Sequence, residues 1–203
     1  DFDGGVLLFA QNHFLDVVLL VIAFLIIIQI FVSERENGTW PLIKSMKLGH
    51  AELLSAKFIT AFSTITGIIL AFYVLNFLFI GQSVGFGNTE RAIQSVDGYF
   101  TSVFPISVGQ YMVFLVFMKI VGTLALSSFF AMLCLIVKSS VLTTMVCVGI
   151  HATEFALWYG IYENSYLSSL KFLNLTTLIL PDTIISDYCN MNFFSYPVSN
   201  LVG

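Results

Sequence analysis

Residues 14–32 read FLDVVLLVIAFLIIIQIFV, a run of nineteen positions in which Asp16 is the sole charge. A helix needs about 20 such residues to cross a hydrocarbon core about 30 Å thick. Three more stretches repeat the pattern, at 58–80, 111–137 and 141–162, and add only Lys119 and Glu154 as charges. None shows the period-2 alternation of a transmembrane barrel strand. The remaining charges fall in the connections, a segregation that a bilayer enforces because a charge at mid-helix costs several kcal/mol. The reading is an all-α membrane protein, a bundle of four transmembrane helices in a single transmembrane domain over 1–203.

Composition agrees. Hydrophobic residues make up 58% of the 203 and charged residues 10%, against about 25% charged in an ordinary soluble domain. So few charges cannot cover a water-exposed surface, which argues against a soluble enzyme or a disordered tail. Eight basic against twelve acidic residues leave no basic excess for a phosphate backbone, so nucleic acid is not an expected partner. Three cysteines, Cys134, Cys147 and Cys189, are too sparse for a disulfide framework or a zinc site. The chain opens on DFDGG with no basic region or cleavage pattern, and reads as a piece of a longer polypeptide.

Lys and Arg in the connections set the orientation. Arg35, Lys44, Lys47 and Lys57 lie in the 33–57 loop and Lys138 in the turn between the third and fourth spans. Arg91 and Lys171 lie on the opposite side. The 33–57 loop is therefore expected in the cytoplasm, with the 81–110 loop and the 163–203 tail outside. Within the tail, 170–181 is too short to span, is broken by Pro181, and reads as an interfacial or re-entrant piece.

The 33–57 loop, SERENGTWPLIKSMKLGHAELLSAK, is patterned. Gly38 permits a sharp turn, Thr39 suits an N-cap, and Pro41 is harmless in a first helical turn. Trp40, Ile43 and Met46 share one face, while Lys44 and Lys47 lie on the other. The spacing predicts a short amphipathic helix ending at Gly49, then a helix from about His50 into the second span. Such a helix either lies among lipid headgroups or docks a cytoplasmic partner.

The series Glu34-x-Glu36-x-Gly38-Thr39-x-x-Leu42-Ile43-x-Ser45, then Lys47-x-Gly49-His50 and Lys57, resembles the ATP-binding cassette (ABC) exporter permeases of the second type. His50 stands where that pattern usually has Arg. The tail stretch 170–174, with Tyr188, Asn192 and Phe193-Phe194, is similar to the outer segment before the last span in such permeases from Gram-positive bacteria. The resemblance implies a multi-pass subunit of the bacterial cytoplasmic membrane, with a coupling helix at 39–46 seated in a separate nucleotide-binding subunit. It implies ATPase-coupling roles for Glu34, Glu36, Gly38, Thr39, Trp40, Leu42, Ile43 and Met46, and a second permease copy or a sister permease as partner. That family has six spans, so four implies a fragment lacking the first and last.

No G-x-x-x-x-G-K-[ST] phosphate loop occurs in the chain. No cofactor is therefore expected on it, and ATP with Mg²⁺ would belong to the partner subunit.

Ionisable residues inside the spans are functional candidates by default. His151 and Glu154 stand at i, i+3 on the fourth span, open to readings as local hydrogen bonding, a water-lined path or a metal site. Asp16 and Lys119 lie about 24 and 27 Å from the inner ends of their spans at ~1.5 Å per residue, which makes them the better-matched ion pair. Small residues, Gly67 with Ala71 and Gly122 with Ala125, Ser127 and Ser128, suit close helix packing. Two rivals to a permease remain: an intramembrane enzyme using His151 and Glu154, and a non-transporting membrane anchor or sensor.

Overall fold

The computed structural model describes residues 3–38, 49–100, 102, 104–137, 139–160, 190–193 and 196–199. In chain order the helices are α1 (Gly4–Ala10), α2 (His13–Phe31), α3 (Ser33–Glu36), α4 (Gly49–Ser83), α5 (Val108–Ile136) and α6 (Ser140–Gly160). A small antiparallel hairpin follows, β1 (Asn190–Phe193) with β2 (Tyr196–Ser199), in the register Asn190↔Ser199 and Phe193↔Tyr196.

Among the described residues, three segments are long and apolar enough to cross a membrane: Gly4–Phe31, Glu52–Ser83 and Val108–Ile136. The chain is thus a helical, multi-pass membrane protein. The expected fourth span forms α6, whose apolar part among the described residues is Ser140–Thr153. The 39–46 helix and the 170–181 piece lie outside the described residues.

Two boundaries differ from the sequence reading. The first apolar segment begins at Gly4 rather than at 14, and it is interrupted: α1 ends at Ala10, and α2 starts afresh at His13. Asn12 caps the new helix, its side chain accepting from Leu15 N at 3.3 Å. The second difference is at the far end of α4, which starts near His50 as expected but runs past 80 to Ser83. The 35 residues of α4 make a rod about 52 Å long, well beyond the hydrocarbon thickness.

The core runs between α2 and α5, the pair in most extensive contact, with α4 against both. Leu19, Ala23, Ile27 and Phe31 of α2 meet Leu115, Leu126 and Phe130 of α5 in one buried cluster. Gly122 and Ser127 are buried there, as close packing requires. Gly67 and Ala71 instead lie on an exposed face of α4, and an added Cβ at Gly67 would meet nothing within 4 Å. Ala125 and Ser128 of α5 are exposed as well, so the expected packing role within the chain is corrected for these four residues. Cys134 and Cys147 are buried, consistent with small apolar residues.

The described residues of 84–107 (84–100, 102 and 104–107) fold into a cap on one end of the bundle. Phe86, Ile93, Val96 and Tyr99 are buried in it, and Tyr111 of α5 donates to the Tyr99 hydroxyl at 2.9 Å. Ser107 and Gln110 form a reciprocal capping box that starts α5. Asp3 ties the cap to α1, accepting from the Arg91 guanidinium and from Asp97 N. The Arg91 hydrogen bond holds the Asp3 carboxyl below its ordinary range.

Candidate functional site

The break between α1 and α2 is where the membrane-spanning segments gather their polar groups. Ending one helix and starting another inside a bilayer leaves backbone carbonyls and N–H groups to be satisfied by neighbours. Lys119 of α5 answers the first half. Its Nζ lies 3.4 Å from the Ala10 carbonyl, at the negative end of α1. Asp16, in the first turn of α2, answers the second, placing a carboxylate at the positive end of that helix.

The two charges meet, with Lys119 Nζ 2.7 Å from Asp16 Oδ2, and they are 1% and 3% exposed. These are the buried charged side chains among the described residues. Tyr73 of α4 donates its hydroxyl to Asp16 Oδ1, so each carboxylate oxygen has a partner. The Tyr73 ring also lies 5.4 Å from Lys119 Nζ, in cation–π range. His13, half-exposed, brings Nδ1 to 3.9 Å from Asp16 Oδ2. One turn further along α4, Asn76 Oδ1 accepts a long hydrogen bond from Asn12 Nδ2 at 3.5 Å.

Asp16 and Lys119, paired by depth in the sequence, are thus brought together, whereas His151 lies elsewhere, on α6. His151 on α6 packs edge-on against Phe130 at 5.4 Å. Glu154 lies on the same helix, and its side chain is outside the described positions. Sequence reasoning missed Asn12, His13, Tyr73 and Asn76. A signal was present: polar residues at i, i+4 (Asn12, Asp16) and i, i+3 (Tyr73, Asn76) within apolar runs. Counting formal charges alone passes over it.

A second cluster forms at the opposite end of the bundle. Glu34 of α3 pairs with Lys57 of α4 at 2.6 Å, and the Lys57 ammonium lies 5.9 Å from the Phe31 ring. Glu36 accepts from Ser140 N at 3.0 Å and from the Ser140 hydroxyl, binding the first residue of α6. Those two bonds hold the Glu36 carboxyl below its ordinary range. Gly38 turns the chain with φ 71°, a conformation that favours glycine. Thr39, Trp40, Leu42, Ile43 and Met46 lie outside the described residues.

Among the described residues no three His, Cys, Asp or Glu side chains gather as metal ligands. Comparison with protein-family models, curated proteins and solved structures finds no match to this chain.

Proposed function

We propose that this chain is the membrane-spanning permease subunit of an ATP-driven exporter in the bacterial cytoplasmic membrane. In this reading α6 is a fourth span, and the 39–46 segment is a coupling helix held by a separate ATPase. A second permease copy or a sister permease completes the substrate path.

The observation that carries the reading is the anchoring of the loop's root. Glu34 grips α4 and Glu36 grips α6, both within five residues of Thr39. A mere connector needs no such ties. A segment that transmits force does, because displacement at 39–46 then reaches the spans rather than being lost in slack chain. The E-x-E-x-G-T pattern, recognised in the sequence by resemblance, supplies these same two carboxylates.

Co-expression with the cassette ATPase of a neighbouring reading frame tests the proposal. The ATPase should co-purify with the chain, and Trp40→Ala combined with Ile43→Ala should release it. Inverted vesicles should then show ATP-dependent uptake of an exported compound with the parent chain alone. Labelling of Lys44 and Lys47 from the outer medium would overturn the reading.

A further inference from the structure

We propose that the open groove between α1 and α4 holds the ester-carbonyl region of a membrane glycerolipid, an assignment independent of the exporter reading. The groove encloses about 700 Å³, with Leu8, Phe79 and Val84 on its walls and Gln11, Asn12 and Asn76 at its polar floor. Leu8 is 54% and Phe79 70% exposed, so its mouth opens on the face that meets lipid. Asn76 lies about one helical turn, ~6 Å, inside the end of the apolar stretch at Ile80. That is the level at which acyl chains give way to the polar zone of a leaflet.

The hydrogen-bond inventory identifies what belongs there. Each Asn amide brings two N–H donors. Asn12 Oδ1 is taken by Leu15 N, and Asn76 Oδ1 by Asn12 Nδ2. Asn76 Nδ2 is buried and has no acceptor among the described residues. Turning the Asn76 amide over does not help, because it sets one NH2 group against the other. Gln11, exposed beside them, adds a further amide. The floor therefore has surplus donors at the level where a leaflet presents its ester carbonyls.

None of the described residues lining the groove is charged. An anionic headgroup would find no cation, whereas uncharged carbonyl acceptors fit. A glycerolipid carries two ester carbonyls where its head joins its chains, so one chain can lie along Leu8 and Phe79 while the carbonyls accept from the amides.

Native mass spectrometry of the full chain in detergent tests this. It is titrated with diester phosphatidylcholine and with the dialkyl ether analogue, which has the same head and chains without carbonyls. The diester should bind about tenfold tighter, the worth of one or two net hydrogen bonds. Asn76→Leu and Gln11→Leu should each narrow that preference, and the exposed Gln11 position decides alone if Asn76→Leu does not fold. Equal binding of the two lipids by the parent chain, or a preference undiminished in a folded variant, overturns the proposal.

Discussion

Lys119 reaches across the bundle to Asp16, with Nζ 2.7 Å from Oδ2, at the point where the first apolar segment is interrupted. The contact joins α2 to α5, and the Ala10 carbonyl brings in α1. Each charge also stands at the helix end that suits its sign, which offsets part of the desolvation cost of burying an ion pair.

Removing one member strands the other in a low-dielectric setting. Lys119→Met and Asp16→Asn are each expected to cost about 3–5 kcal/mol, while the double variant recovers much of the loss. Thermal melts in detergent, arranged as a double-mutant cycle, read this directly. Additive losses would mean that the two side chains act separately.

Tyr73→Phe removes only the hydroxyl that Asp16 Oδ1 accepts from. A hydrogen bond to a charged group is worth about 1.5–3 kcal/mol, so this variant should melt between the parent and Lys119→Met. With Asp16→Asn already present, the added effect of Tyr73→Phe should shrink.

Glu36 gives a pH signature. Its carboxyl is held below its ordinary value of 4.5 by the Ser140 hydroxyl and backbone N–H. A depressed folded-state pKa adds stability above the ordinary value, and that stability is lost as pH falls through the folded-state value. The melting-point difference between the parent and Glu36→Gln should therefore be present at neutral pH and vanish on acidification below 4.5. A difference that persists in acid would show that the carboxylate's charge is not what binds Ser140.

Gly5 tests the fit of α1 beneath the cap. A Cβ there would lie 1.9 Å from the Gly85 carbonyl oxygen, a backbone atom that cannot turn aside. Gly5→Ala should cost about 1–3 kcal/mol by overpacking. Gly67→Ala, with open space around it, should be neutral or gain slightly from helix propensity.

The apolar runs made the long helices legible, because a bilayer turns burial into a simple count of residues. The start of α4 near Gly49 was legible too, from a helix-ending glycine, and so was the separation of α5 from α6, from the polar triplet at 138–140. Asp16 and Lys119 could be matched because helical rise converts position into depth. The break at Gln11 and Asn12 was hidden: residues 4–10 are apolar but short, and they become helical by packing against α4 and α5. The Glu36–Ser140 bond joins residues 104 apart, and no local pattern announces such a partnership. Tyr73 and Asn76 are uncharged and therefore escaped a search for ions.

The unbroken course of α4 gears its two ends together. Lys57 and Asn76 sit on the same rod, nineteen residues and about 28 Å apart, with no proline between them to absorb twist. A torque applied where Glu34 grips Lys57 must swing the Asn76 wall through a similar angle. Widening or pinching of the far groove is thus the mechanical counterpart of any turn imposed at the near end.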